Sequence, residues 1–434
     1  MEYNDTLKKI HSFERLGMKL GLDRMQKLLG LMGNPEKKLK FIHVAGTNGK
    51  GSVCTMLASV MEQGGYKTGL YTSPAVIDFR ERIKVNGQMI KKNSLIKITN
   101  NIINVLESID DEDFKITEFE LVTAIAFEYF FEEKCDVVVL ETGLGGRFDA
   151  TNVIERPLLS IITSISFDHT KILGDTLEKI AFEKCGIIKE KCDVVVYPDQ
   201  EAGVMDVIKN QAKLKKSKVF IPDLDKVKIV GEGLFTGTKV LFDGLEYHMN
   251  FVGKHQINNL CTALKALKIL GKRFNISQAA IFEGIDKAKV PARTEILLKN
   301  PLIILDGSHN ISSVSALYDV VTQYAKGKNL KAIVGMLADK DVEASFSKIL
   351  PIFKEVSIVS PNSFRALSVQ NALSIALKYN KNSKSYDSLE NAIEQAVSSL
   401  QDNDALIMFG SLYLSSEIKK IFNQKYSLDT LQKI

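Results

Sequence analysis

The chain has 434 residues, 45% hydrophobic and 25% charged, with 57 Lys+Arg against 52 Asp+Glu. That balance excludes a mainly disordered or fibrous chain, and at about 100–200 residues per domain it predicts two to four domains. A net charge of +5 over this length gives no basis for a nucleic-acid partner but suits an anionic small molecule.

The five cysteines (Cys54, Cys135, Cys185, Cys192 and Cys261) are odd in number, scattered, and form no C-x-x-C pair. Neither a disulfide scaffold nor a structural zinc site is expected, and a reducing cytoplasm fits best. The first residues lack the apolar core of a signal peptide. No apolar run approaches the ~18 residues of a membrane span. The richest, TAIAFEYFF, is interrupted by Glu128.

Residues 5–32 carry apolar positions at helical spacing and end at the stop signal Gly33-Asn34-Pro35. A short apolar run, Phe41–Ala45, enters the Gly-rich stretch Gly46–Ser52, and 53–63 reads as a helix. Lys67–Tyr71 reads as a strand. Arg82–Ile90 alternates around Asn86-Gly87, a hairpin signal. Helices are predicted at about 94–108 and 118–133, strands at Asp136–Glu141, Leu158–Ile165 and Asp193–Tyr197, and a helix after Asp175-Thr176. Strands alternating with helices predict a mostly parallel sheet covered on both faces. Residues 213–252 are less regular, with strands and turns at the glycines. Helices resume at about 256–270 and 277–287. A second alternation begins at Pro301–Asp306, with strands at 330–336, 355–359 and 404–409 and helices near 312–325, 341–350, 368–379 and 387–400. It predicts a separate, smaller α/β domain, with the boundary placed at 295/296.

Chemistry concentrates at the predicted strand ends. Glycines in Gly46–Ser52 let backbone N–H groups turn toward phosphate oxygens, and the helix N-terminus behind them adds partial positive charge. Lys50 is placed to reach β/γ-phosphates. The stretch departs from G-x-x-x-x-G-K-[ST]: the first Gly position falls on Val44, and the hydroxyl comes one residue late, at Ser52. Glu141 ends an apolar strand where ligands of parallel sheets bind, beside Gly143-x-Gly145-Gly146, and is a sensible Mg²⁺ ligand. Asp168-His169 also follows an apolar strand. Asp306–Asn310 repeats that layout, where an ordinary Asp/Asn turn is an equally good reading. Ser73, Lys184 and Arg293 carry little signal alone.

Together these segments resemble the folylpolyglutamate synthase/dihydrofolate synthase family, within the Mur ligase superfamily. The resemblance rests on His11-Ser12-Phe13, Ala45–Ser52, Tyr71–Pro74, Thr117–Glu120, Glu141–Asn152, Asp168–Thr170, Asp306–Asn310, Met336–Asp341 and Gly410–Tyr413. The GKGS and TEFE segments favour the folate branch over cell-wall amino-acid ligases. A regulatory nucleotide switch would not need a second α/β domain with its own polar strand-end motif.

The resemblance implies a P-loop-type, mostly parallel sheet flanked by helices, plus a smaller Rossmann-like domain. It implies ATP-dependent amide bond formation, in which an acyl phosphate made from a folate carboxylate is attacked by the amine of L-glutamate. Asn48, Gly49, Lys50, Gly51, Ser52, Asn259, Arg293 and Asp306 would contact ATP. Ser73, Glu141, His169 and Lys184, the last as a carbamate, would hold Mg²⁺, with a monovalent cation as a further cofactor. Lys50, His169 and Lys184 would be catalytic. Thr117, Glu118, Phe119, Glu120, Phe148, Asp149, Ala150 and His309 would bind substrate, with Phe119 and Phe148 on opposite sides of the flat pterin of a folate or of dihydropteroate. Pro291-Ala292-Arg293 stands where some relatives carry Pro-Gly-Arg. A cytoplasmic monomer is expected.

Overall fold

Strand β1 (Phe41–Ala45) is buried at every position because it lies inside an eight-stranded sheet. The computed structural model describes residues 2–13, 21–111 and 113–426. The sheet is completed by β2 (Thr68–Tyr71), β3 (Ile83–Val85), β4 (Gln88–Met89), β5 (Val137–Glu141), β6 (Leu159–Ile162), β7 (Val194–Val196) and β8 (Val219–Phe220). Its order is β4-β3-β2-β5-β1-β6-β7-β8. Every pairing from β2 to β8 is parallel, and β3 and β4 add an antiparallel edge.

Successive residues of β1 and β5 feed opposite cores. Ile42, Val44, Val137 and Val139 pack under the helices Lys50–Gln63, Lys254–Leu270 and Gln278–Lys287. Phe41, Val138 and Leu140 pack under Tyr3–Ser12, Lys92–Glu107 and Glu118–Glu132. Burial on both faces explains why these strands read as unbroken apolar runs.

A small antiparallel sheet of β9 (Val227–Gly233), β10 (Gly237–Phe242) and β11 (Leu245–Met249) follows. Val240, Tyr247 and Met249 cover one end of the first core. The last sheet holds β12 (Glu295–Leu298), β13 (Leu302–Leu305), β14 (Asn329–Val334), β15 (Glu355–Ile358), β16 (Ser383–Ser385) and β17 (Asp404–Phe409). Its order is β12-β13-β17-β14-β15-β16, parallel except at β12. This is the expected α/β class with two main sheets. Among the described residues, no helix is long and apolar enough to cross a membrane.

Several local expectations need correction. The predicted 5–32 helix is two helices, Tyr3–Ser12 and Asp23–Leu31, and 14–20 lie outside the described residues. The helix after the Gly-rich loop starts at Lys50, three residues early, because Gly49 takes the left-handed N-cap conformation (φ 85°). The helices Ala202–Leu214 and Leu412–Lys425, and the single turn Thr170–Leu173, were unforeseen.

The parallel strands put their carboxyl ends on one edge. In the first sheet β1, β5 and β6 deliver Gly46–Ser52, Thr142–Ala150 and Thr163–His169 there, and in the last sheet β13 delivers Asp306–Asn310.

Candidate active site

The Gly46–Ser52 loop is held by β6. Thr47 N–H donates to Ser164 O at 2.7 Å, and the Thr47 hydroxyl donates to Ser166 O at 3.0 Å. Side chains at Gly46 and Gly49 would collide with Thr163 Oγ1 and Asn259 Oδ1. Both also have positive φ, 156° and 85°, so both positions require glycine. Lys50 folds back, its Nζ donating to Gly46 O (3.1 Å) and Thr47 O (3.2 Å).

Glu141 is 4% exposed, and among the described residues no Lys or Arg lies within ion-pair distance of it. Burial pushes its carboxyl up to about 7, with Lys50 opposing. It accepts the Ser73 N–H at 3.3 Å. A buried carboxylate beside a serine, with no resident cation, fits a hard divalent ion that takes its remaining ligands from phosphates and water. No cluster of three His, Cys, Asp or Glu suited to a metal occurs among the described residues.

Lys184 ends the helix Leu177–Lys184 and is 4% exposed. Its Nζ donates to Gly46 O at 2.7 Å, so Lys50 and Lys184 share one carbonyl. Burial first, and Lys50 second, bring its amine down to about 7. His169, with φ 49°, faces elsewhere: its Nε2 lies 3.3 Å from Lys340 Nζ. Burial and Lys340 lower its imidazole to about 4. The structure thus brings Ser73 to Glu141 and Lys184 to Lys50, while His169 joins a separate group at the domain seam.

A cleft of about 430 Å³ runs between the two main sheets. Asn48, Gly49, Ser52 and Asn259 face Arg293, Asp306 and His309 across it. All but Lys50 and Gly51 of the residues expected at ATP therefore line one space. Asn259 Oδ1 is buried without a donor, its amide nitrogen being spent on Gln256 (3.1 Å). Such an orphaned acceptor fits a polar ligand in the cleft. Asp306 accepts the N–H groups of Thr294 (2.7 Å) and Ser308 (2.8 Å), which fixes the Arg293 segment against the β13 loop. Ala292 takes φ 53°, a conformation that costs a non-glycine residue about 1–2 kcal/mol. A glycine there would relax it.

The expected pterin walls do not form one pocket. Thr117 caps the helix Glu118–Glu132 in a capping box with Glu120. Glu120 is paired with Arg24 at 3.0 Å, and Glu118 lies 3.4 Å from Arg82 and from His11. Phe119 packs on Gly143, Tyr71 and the Arg82 guanidinium. Phe148 is 44% exposed and lines a different groove with Ile172 and Phe182, which contains none of Thr117–Glu120. Asp149 turns inward, accepting Leu144 N–H (2.8 Å), Thr151 N–H (3.0 Å) and the Thr151 hydroxyl (2.5 Å). Ala150 is buried in the apolar cluster of Val153 and Ile154.

His255, Gln256, Tyr197 and Ser313 also line the cleft wall and were not among the expected site residues. Gln256 was within reach, three residues before Asn259 and so on the same helix face.

Residues 44–267 match the family model for the Mur ligase middle domain, and 292–412 match the Mur ligase glutamate ligase domain. The chain is 36% identical over 428 residues to a dihydrofolate synthase/folylpolyglutamate synthase of Bacillus subtilis, covering 96% of this chain and 98% of that protein. It superposes on Mycobacterium tuberculosis folylpolyglutamate synthase complexed with ADP, with a TM-score of 0.89, 27% identity, and 97% and 99% of the two chains covered. The Escherichia coli FolC structure with DHPP and ADP matches with a TM-score of 0.86 and 27% identity, over 97% and 98% of the two chains.

Proposed function

We propose that this chain, which belongs to the folylpolyglutamate synthase/dihydrofolate synthase family of Mur ligases, is an ATP-dependent ligase joining L-glutamate to a folate carboxylate. The observation that carries this is the cleft in which the Gly46–Ser52 loop faces Arg293 and Asp306. ADP in the related M. tuberculosis and E. coli structures supports a nucleotide there. The division at 295/296, between a nucleotide-binding unit and a glutamate-ligase unit, belongs to the same proposal, as does a monomer acting in the cytoplasm.

The γ-phosphoryl passes to the folate carboxylate, and the glutamate amine then displaces phosphate from the acyl phosphate. Loop N–H groups at Gly49–Ser52, the Asn48 side chain and the Lys50 ammonium meet the phosphate charge, positioned before the reaction begins. Asn259 orients the nucleotide from the loop wall, Arg293 and Asp306 orient it from the far wall, and His309 is assigned to the incoming glutamate. Ser73 and Glu141 would hold Mg²⁺, which would neutralise phosphate charge when bound. A carbamate on Lys184 completes the proposed metal set, and a monovalent cation is a further proposed cofactor; His169, expected in that set, is turned to Lys340 instead.

Acceptance of dihydropteroate as well as reduced folates is part of the proposal. Here Asp149 acts through the loop it ties together. Asp149→Ala leaves buried donors at Leu144 and Thr151 unpaired, so a loss of about 1–3 kcal/mol is expected in a urea titration. Dihydropteroate use should fall more than tetrahydrofolate use, because a folate keeps contacts through its glutamate.

A coupled assay of ADP release with ATP, L-glutamate and either tetrahydrofolate or dihydropteroate tests the reading. Release should require both the amino acid and the pteroyl substrate. ATP turnover indifferent to both would point to a nucleotide switch, and activity restricted to a cell-wall precursor would point to the other branch of the superfamily.

A further inference from the structure

Asp168 lies in the loop after β6, and Lys340 in the loop between β14 and the helix Val342–Ile349. Their side chains are 9% and 4% exposed, and Lys340 Nζ stands 2.5 Å from Asp168 Oδ1. The His169 N–H also donates to Oδ1, at 2.8 Å. The other oxygen, Oδ2, accepts from Asn310 Nδ2 at 3.2 Å and has His309 Nε2 at 3.7 Å. Three of these four partners follow residue 305 in the chain, so the carboxylate of one unit is satisfied chiefly by the other. The amides of Asn310 and Asn48 exchange contacts at 3.2 and 3.3 Å, which carries the connection into the phosphate loop.

The cation is built into place. Asp339, 3.9 Å from Lys340, is taken by Arg365 at 2.6 Å. The Ala338 N–H donates to Arg365 O at 2.8 Å, which braces the Lys340 loop. Two charges this buried are stable only together, since removing one leaves the other uncompensated. Among the described residues each has only a longer ionic contact within its own unit, Asp168 with His169 Nε2 at 3.8 Å and Lys340 with Asp339 at 3.9 Å, so the pair adds to the seam between the units more than to either fold. Consistent with this, His309 and Lys340 overcome burial and hold the Asp168 carboxyl far below the usual carboxylate range.

We propose that Asp168 and Lys340 form a clamp that seats the C-terminal unit over the phosphate loop, which makes both of them positioning residues for the reaction. The kinetic part rests on the ligase reading, but the structural part does not. The cleft needs walls from both units in register, and a displacement of about 1 Å is enough to cost about 10²-fold in rate.

The test uses the full chain with Lys340→Met, the near-isosteric Asp168→Asn, the double variant and Lys340→Arg. Small-angle scattering of nucleotide-free protein should show a larger radius of gyration for Met, Asn and the double variant, and a wild-type value for Arg. The rate constant kcat should fall about 10²-fold in each single variant and no further in the double, since one contact is lost in all three. Unchanged scattering in both single variants, or a double variant whose loss is the product of the singles, overturns the clamp. If no substrate supports turnover by the wild type, the ligase reading fails while scattering still decides the clamp.

Discussion

Lys50→Ala should lower ligase turnover by on the order of 10²–10³ while leaving the protein folded. The side chain leaves the first turn of the helix Lys50–Gln63 and bends back to two carbonyls of its own loop, Gly46 O and Thr47 O. Among the described residues it has no carboxylate within ion-pair distance, so its charge is available to an anion in the loop. Alanine keeps the helix start, being the best helix former, and the turn is fixed by Gly46 and Gly49. The substitution therefore removes a donor aimed at phosphate and little else. Circular dichroism and a thermal midpoint near wild type, with turnover lost in the ADP-release assay, is the expected result. Near wild-type turnover would remove the phosphate-loop assignment.

The strands of the first sheet were readable because burial on both faces forces runs such as Val137–Leu140 to be wholly apolar. Glycine loops were readable where close approach excludes a side chain, as at Gly49 against Asn259. The helix Ala202–Leu214 buries Val204, Ile208 and Ala212, a helical spacing present in the sequence but masked by the polar residues between. The helix Leu412–Lys425 begins at the Ser411 cap, inside a segment that reads first as a ligand motif. What no local pattern could show is tertiary placement. Asp168 and Lys340 are 172 residues apart, and although each lies in a segment marked out in the sequence, nothing there pairs the two. Phe119 and Phe148 look alike as aromatic residues beside polar ones, yet one packs on Gly143 and the other opens onto a separate groove. Alternation and spacing specify which face of an element is apolar; they do not specify which loops meet.

Lys184→Arg should be as inactive as Lys184→Ala, a loss on the order of 10²–10³, because the lysine is proposed to act as a carbamate. Carbon dioxide adds to a neutral amine, forming an N–C bond and releasing a proton, and the product is an anion able to bind metal. The amine must therefore be neutral near physiological pH. Burial, reinforced by Lys50, brings it to about 7, so about half is neutral at pH 7, and the neutral fraction grows as pH rises. Activity restored by bicarbonate to CO₂-depleted enzyme should increase across that point. Linkage gives an independent check. The ordinary value is 10.5, so between about 7 and 10.5 the unfolded chain binds more protons at this site than the folded one. The destabilisation is largest below 7 and fades as pH rises toward 10.5. Lys184→Met is thus expected to raise stability by several kcal/mol at about pH 6 and by less at about pH 9, read from urea midpoints, even as it abolishes turnover. Acetate should partly rescue Lys184→Ala by placing a carboxylate in the vacated space. An active Lys184→Arg enzyme would mean that a positive charge under the Gly46 carbonyl is all the site requires.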